Sequence, residues 1–169
     1  VRQGDGLSVL TPGEAESVVI AGMGGALIVQ ILAGAPAVLA GAPTLVLQPM
    51  NGGAKLRRWL YANGWNIVDE ALARAGGRLY EIIRAEHGTA AMPDDALLHI
   101  GACLFEKRDP LLREHIEAKI AKLTRAAEGM NASTTARQSE EYRETVSLLT
   151  ALRTLLVLCR ASQPKPPRP

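Results

Sequence analysis

Apolar and polar positions divide the chain into short strands and helices separated by glycine-rich breaks. An apolar run at Val18–Ala21 is followed by a loop with three glycines in four residues, and then by an apolar run through residue 33. This order is typical of a buried strand, a tight loop and a helix. A second β-rich run, Thr44–Gln48, ends in another glycine-containing loop, and residues 55–63 carry apolar side chains at helical spacing.

Two further strands are predicted over residues 65–72 and 79–86, joined by a turn at Gly76-Gly77 and paired antiparallel. Strands that alternate with helices before a terminal hairpin predict an α/β layered fold with a largely parallel sheet. At the start of the chain, residues 1–3 are predicted to end a strand before a Gly-Asp-Gly turn.

The pattern becomes helical after Leu97. Asp109 is predicted to cap a long helix, because proline follows it at the first helical position. Apolar stripes on both sides of a polar segment at 129–138 predict an antiparallel helical hairpin, packed either like a coiled coil or as two ordinary helices over a core. We therefore expect a partial α/β domain over 1–96, a helical hairpin over 97–161 and a disordered proline-rich tail over 162–169.

Composition narrows the classes of protein that fit. A net charge of +2 is too small to indicate a nucleic-acid binder, although most basic residues follow residue 54 and permit a phosphate-bearing partner. Cys103 and Cys159 lie far apart and are expected to be buried free thiols, as in a reducing cytoplasm. No apolar run reaches the length of a membrane span, and the three histidines do not cluster, so neither a membrane nor a metal is expected.

The glycine loop at 22–27 imitates the start of a dinucleotide-binding fingerprint but does not complete it. Leu27 stands where the third glycine belongs, and no acidic residue follows about twenty positions later. A nicotinamide-binding domain is therefore disfavoured. The chain also contains no recognisable pairing of a nucleophile with a base and no P-loop lysine.

Three loops are expected to line one edge of the sheet: Gly4-Asp5-Gly6, the loop from Gly22 to Gly25, and Gln48-Pro49-Met50-Asn51. They offer one carboxylate, side-chain amides and closely approaching backbone. Such a site suits a transfer reaction in which two ligands bring the reactivity and the protein supplies proximity. The alternatives are that the glycines only form tight turns and that Asp5 only caps one.

Several blocks of the sequence, taken in order, resemble the bacterial tRNA (adenine-22-N1)-methyltransferases, class I enzymes that use S-adenosylmethionine. The matching stretches are Val1–Leu7, Ile20–Leu27, Leu45–Pro49, Leu56–Leu60, Ile100-Gly101 and Asp109–Leu112. The resemblance implies a Rossmann-like methyltransferase domain followed by a helical hairpin that helps to grip tRNA.

The resemblance also implies roles for individual residues. Residues implied to bind the cofactor are Gly4, Asp5, Gly6, Ala21, Gly22, Met23 and Gly24. Residues implied to contact the substrate are Gly25, Gln48, Pro49, Asn51, Lys55, Arg57 and Arg58, of which the three basic ones are candidates for phosphate or for a solvated helix face. No catalytic base is implied, since adenine N1 can attack a sulfonium methyl group directly.

The resemblance departs from the family pattern at two places. Family members carry a further part of the Rossmann domain ahead of Val1, with the first strands and the glycine loop for the methionine part of the cofactor. This implies an N-terminally truncated form, with weak cofactor binding, marginal folding and an open edge at the strand from Val18. In addition, Met50 stands where some relatives have asparagine, and Asn51 follows it.

Three hypotheses about function follow. The first is a cytoplasmic RNA methyltransferase that acts on adenine N1 of tRNA, of which this chain is an incomplete form. The second is a non-catalytic remnant that serves as an RNA- or protein-binding module, and the third is a small-molecule transferase on the same fold. An open sheet edge and a leucine-rich hairpin would both allow a homo-oligomer.

Overall fold

The computed structural model describes residues 1–161 and divides them into two compact units. The first unit is Val1–Asp109, and the second begins at Pro110. The sequence-based boundary lies after residue 96, but α4 (Asp95–Ile100) and α5 (Ala102–Glu106) belong to the first unit. The predicted tail at 162–169 lies outside the described residues.

The first unit is built on a four-stranded sheet with the order β1-β2-β4-β3. Its strands are β1 (Ser17–Gly24), β2 (Thr44–Asn51), β3 (Trp65–Ala75) and β4 (Arg78–His87). β1 and β2 are parallel, whereas β4 is antiparallel to both β2 and β3. β1, β2 and β3 therefore run in the same direction, as expected for a largely parallel sheet that ends in a hairpin, and β4 alone of these strands runs the opposite way. The fully buried Ile83 and Ala85 let β4 take the position beside β2, and a hairpin strand in that place must run antiparallel.

Side chains alternate between the two faces of each strand, and the buried ones show which face of the sheet is covered by helices. In β1, Val18 and Ile20 are buried, whereas Val19 between them is 68% exposed. In β2, Leu45 and Leu47 are fully buried on the same face. Three helices complete this layer: α1 (Gly25–Ala33), α2 (Pro36–Leu39) and α3 (Gly53–Ala62). The inner faces of α1 and α3 supply buried side chains at i, i+4 spacing: Ile28, Leu32, Leu56 and Leu60.

The second unit consists of α6 (Leu112–Asn131), α7 (Thr134–Arg137) and α8 (Glu140–Ala161). Helices α6 and α8 pack against each other, and their buried residues are Leu112, His115, Ile116, Leu149 and Leu152. The connection from 132 to 139 is too short to return along a helix of about 30 Å, so the two helices run antiparallel. The short α7 inside this connection was not predicted.

Two local predictions at the ends of the first unit are wrong. Asp109 does not cap α6, whose N-cap is Leu111. Its carboxylate instead accepts a hydrogen bond at 3.3 Å from the backbone N–H of Leu72, a residue of the edge strand β3. Residues 1–3 are exposed and form no strand, and Arg2 pairs with Glu14.

The two cysteines differ from the buried thiols that the sequence predicts. Both Cys103 and Cys159 are free, and each is only half-buried.

Among residues 1–161, none of the helices combines the length and the apolar character that crossing a membrane requires.

Candidate functional site

The loops after β1 and β2 meet at one edge of the sheet. The two strands are parallel neighbours, so their carboxyl ends lie side by side, where ligands bind in open α/β sheets. The pairing becomes irregular between Ala21 and Gly24, and Gly22 has a φ of +77°. A side chain other than glycine would strain that backbone, so the sequence at this point suits a kinked loop.

Gln48 fixes the kinked loop from the neighbouring strand. Its Oε1 accepts a hydrogen bond of 2.8 Å from the backbone N–H of Gly22. Its Nε2 lies 3.7 Å from the sulfur of Met50, within reach of a weak hydrogen bond. One side chain therefore joins the two loops and sets the direction of the Gly22 peptide.

A second junction between the loops consists of backbone alone. A Cβ atom on Gly25 would lie 2.5 Å from the carbonyl oxygen of Gly52, so only glycine allows this approach. Gly52 itself has a φ of +67°. Gly24 is the N-cap of α1 and makes no side-chain capping bond to the first turn of that helix.

The first predicted loop, Gly4-Asp5-Gly6, lies against α1. A Cβ on Gly6 would meet the side chain of Ile31 at 3.0 Å, and one on Gly4 would overlap the side chain of Val9. Asp5 is exposed and borders a cleft of about 240 Å³. The cleft is lined by Asp5, Gly6, Leu7, Ser8, Leu27, Gln30, Ile31, Gly34 and Ala35. The structure thus joins the second and third predicted loops directly and places Asp5 beside the helix that follows them.

The surface formed by the two joined loops carries no charge. Residues 21–25 and 48–53 contain no ionisable side chain. Met23 and Met50 are partly exposed there, and Asn51 is exposed. Such a surface can hold a flat or apolar ligand and donate backbone or amide hydrogen bonds, but it cannot remove a proton near neutral pH.

Charge is instead concentrated in the interior behind the loops, in a group that we term the ion cluster: Arg57, Glu70 and Glu81. The guanidinium of Arg57 donates to Glu70 at 2.6 Å, lies 2.8 Å from a carboxylate oxygen of Glu81, and donates to the carbonyl of Leu98 at 3.1 Å. Glu70 also accepts the backbone N–H of Cys103 at 3.1 Å. Burial opposes the charged form, but Glu81 and Glu70 outweigh it and raise the pKa of Arg57.

The ion cluster corrects one of the predicted phosphate contacts. Arg57 is 1% exposed and its guanidinium lies against Glu70, Glu81 and the carbonyl of Leu98, so it has no access to a phosphate. Its neighbour Arg58 is exposed and pairs with Asp95. Lys55, in the first turn of α3, is exposed.

Glu70 and Glu81 are not among the residues predicted from the sequence. Both lie at positions of an alternating strand where an apolar residue is expected, and that irregularity is the signal that could have revealed them. Gly53 belongs to the same arrangement, because a Cβ there would lie 2.8 Å from a carboxylate oxygen of Glu81.

A family model described as tRNA (adenine(22)-N(1))-methyltransferase matches residues 1–151. The tRNA (adenine(22)-N(1))-methyltransferase of Bacillus subtilis is 46% identical over 88 residues. That alignment covers 52% of this chain and 37% of the Bacillus protein, so the matched stretch is less than half of the relative.

Solved structures with the same architecture include a Streptococcus agalactiae protein of the NADB-Rossmann superfamily. It is 30% identical, with a TM-score of 0.79, and the match covers 92% of this chain and 66% of that one. A Streptococcus pneumoniae protein in complex with S-adenosyl-L-methionine is 29% identical, with a TM-score of 0.76. This second match covers 92% of this chain and 67% of that protein.

Proposed function

Because the chain belongs to the tRNA (adenine(22)-N(1))-methyltransferase family, we propose that it acts in the transfer of a methyl group from S-adenosyl-L-methionine to N1 of an adenine in tRNA. We propose a cytoplasmic location as well, because the proposed substrate is a tRNA. The cofactor is supported by the similar Streptococcus pneumoniae protein that was solved with S-adenosyl-L-methionine.

One observation carries the proposal: two uncharged loops are joined at the carboxyl ends of parallel strands, by Gln48 with Gly22 and by Gly25 with Gly52. This edge can bind and orient ligands, but its loops contain no base. Methyl transfer to adenine N1 needs none in its chemical step, because N1 carries a lone pair. The reaction therefore requires that two ligands be held in line, and this edge of the sheet can hold them so.

The methyl transfer can be written with balanced bonds and charges without any ionised side chain from the loops. The N1 lone pair forms the new bond to the methyl carbon while the carbon–sulfur bond breaks, and its electrons stay on sulfur. The positive charge moves from the sulfonium to the adenine ring. The methylated adenine keeps this charge until its exocyclic amine releases a proton to water, and the sulfur leaves as the neutral thioether of S-adenosylhomocysteine.

We assign the cofactor side to the Asp5 loop and to the loop from Ala21 to Gly24. The carboxylate of Asp5 can accept hydrogen bonds from a hydroxyl or an exocyclic amine, and the glycines permit close approach of a ligand. The base side is assigned to Gly25, Gln48, Pro49 and Asn51. Pro49 is buried, so it acts by shaping the backbone, whereas the exposed amide of Asn51 can contact a base edge directly.

Lys55 and Arg58 remain candidates for contact with tRNA phosphates, because both are exposed on α3 near the loop at Gly52. Arg58 must exchange its exposed partner Asp95 for a phosphate, and an exposed pair of this kind is weak enough to exchange. Arg57 is removed from this set because of its burial.

The test is methyl transfer from labelled S-adenosyl-L-methionine to an unmodified tRNA transcript, with a matched transcript in which adenine 22 is replaced by guanine. Both this chain and the protein extended upstream in frame are assayed. Transfer that depends on adenine 22 supports the proposal. Binding of tRNA without transfer by either protein supports a binding module instead, and transfer to a small molecule without RNA supports a different transferase.

A further inference from the structure

The β3–β4 hairpin carries its turn to the same edge of the sheet as the two joined loops. β4 is antiparallel to β2, and Leu47 pairs with Ile83. Counting on in that register sets Asn51, the last residue of β2, level with Leu79. The hairpin turn at Gly76-Gly77 therefore lies beyond the end of β2, at the edge where the candidate site is formed.

The turn is short and well defined. Gly76 and Gly77 have φ values of +54° and +72°, and the flanking residues Ala75 and Arg78 pair with each other. Two central residues with positive φ are typical of the tight turn that best suits the twist of a hairpin. Residues 74–78 are all exposed, and a Cβ on either glycine would meet nothing within 4 Å. The tip thus projects into solvent on a defined backbone.

The ion cluster holds this tip in place beside the loops. Arg57 binds Glu70 on β3 and Glu81 on β4, so one side chain of α3 joins both strands of the hairpin. Glu81 lies three residues after Arg78 along β4, and its carboxylate also lies beside Gly53 at the start of α3. The position of the tip relative to the loop at Gly52 is therefore fixed through buried contacts.

The tip is positively charged. Residues 71–80 contain two arginines, Arg74 and Arg78, and no acidic residue. Asp69, the nearest acid before this stretch on β3, pairs with Lys107. Tyr80 lies two residues from Arg78 and therefore on the same face of β4, half-buried. A guanidinium beside an aromatic ring is a common arrangement for holding a phosphate and a neighbouring base.

We propose that the tip of the β3–β4 hairpin is a surface that contacts the RNA backbone, with Arg78 binding a tRNA phosphate next to the candidate site. This inference rests on the proposed function, since it assumes a tRNA substrate at that edge. The fixed cation on the hairpin would anchor the strand of RNA whose base enters between the loops. Phosphate contacts of this kind set position and affinity without reading sequence.

The test is the affinity of the chain for an unmodified tRNA transcript, measured by fluorescence anisotropy over a range of KCl concentrations. We expect Arg78→Ala to weaken binding about 3- to 10-fold and to lower the slope of log K against log salt by about one. Arg78→Glu should weaken binding further, and Arg78→Lys should retain most of the affinity, because the charge is kept.

The matched control is Arg84→Ala. Arg84 lies on the same strand and the same face, is similarly exposed, and is roughly 20 Å from Arg78 at the rise of a β-strand. We expect its affinity to stay within about twofold of the unaltered chain. All variants should keep the thermal midpoint of the unaltered chain, since none of these side chains is buried.

Three results would overturn the inference, and they differ in what they say about the proposed function. If Arg78→Ala and Arg78→Glu bind tRNA like the unaltered chain, the hairpin is not a contact, and the proposed function stands. If Arg84→Ala weakens binding as much as Arg78→Ala, the effect is one of overall charge and not of this surface. If the unaltered chain binds no tRNA at all, the premise of a tRNA substrate fails together with the inference.

Discussion

Two neighbouring regions of the first unit are held together in opposite ways. The loops at the candidate site are joined by backbone and by one neutral amide, at Gly25 with Gly52 and at Gly22 with Gln48. The ion cluster directly behind them buries an arginine between two carboxylates. This protein thus uses charge to build the scaffold and keeps the two joined loops of the candidate site neutral, which suits a site that acts by orientation.

The largest effect should come from breaking the ion cluster. Arg57→Met leaves two buried carboxylates without their partner, and loss of one member of a buried ion pair typically costs about 3–5 kcal/mol of folding free energy. The measurement is the free energy of unfolding in urea. Arg58→Ala is the control on the adjacent exposed residue, with an expected cost of about 1 kcal/mol or less. Equal costs for the two variants would show that the cluster does not hold the fold.

The next effect should come from separating the two loops. Gly25→Ala places a methyl group where the Gly52 carbonyl already lies, and overpacking of this kind typically costs about 1–3 kcal/mol. The same variant should lower the rate of methyl transfer by more than the fraction of unfolded protein accounts for, because it changes the edge that orients the ligands. Gly129→Ala, on the exposed surface of α6, should be neutral or slightly stabilising in the same urea assay. A Gly25→Ala protein with unaltered stability and transfer would contradict the close approach.

A smaller effect is expected when the side-chain junction is removed. Gln48→Leu deletes the acceptor for the Gly22 N–H, and a neutral hydrogen bond contributes about 1 kcal/mol to stability. We expect the maximal rate of transfer to fall more than the affinity for cofactor, since the loop loses its fixed direction. Gln48→Glu keeps an acceptor and should restore most of the rate. Equal loss in both variants would mean that the Gly22 bond is not what Gln48 contributes.

The smallest effect concerns an exposed charge pair, in contrast to the buried one. The hydrogen bond from Arg2, together with those from Thr11, lowers the pKa of Glu14 to about 2. Because the folded-state pKa is depressed, the contribution of Glu14 is complete above its ordinary value near 4.5 and is lost as the pH falls through about 2. An NMR titration of the Glu14 carboxylate checks this. A midpoint near 4.5 would show that the pair does not form in solution.

Much of the scaffold could be predicted from periodicity. The alternation at Val18–Ile20 and the helical spacing of Leu56 and Leu60 place the strands and helices within a few residues of where they lie. The position of β4 between β2 and β3 could not be predicted, because local pattern does not say which neighbour a hairpin strand takes. Asp109 was misread for a related reason, since its partner Leu72 is distant in sequence.

The candidate site was predictable in part. The glycine loops could be recognised from residue type, because only glycine allows the backbone approach at Gly25. The roles of two adjacent arginines could not be separated, since Arg57 and Arg58 differ only in which side of α3 they occupy. Glu70 and Glu81, which bind Arg57, lie on two different strands. Because the sequence does not show how these strands pair, the ion cluster could be identified only from the structure.

The most direct test of a neutral, orienting site is the pH dependence of methyl transfer. The single-turnover rate on an unmodified tRNA transcript would be measured from pH 6 to pH 9 at saturating S-adenosyl-L-methionine, with whichever protein, this chain or its upstream-extended form, transfers the methyl group. Because the two joined loops contain no ionisable side chain, we expect a flat profile across this range. A profile that rises with a midpoint between pH 6 and 8 would indicate a protein base at the reacting atoms and would contradict a neutral site that acts by orientation alone.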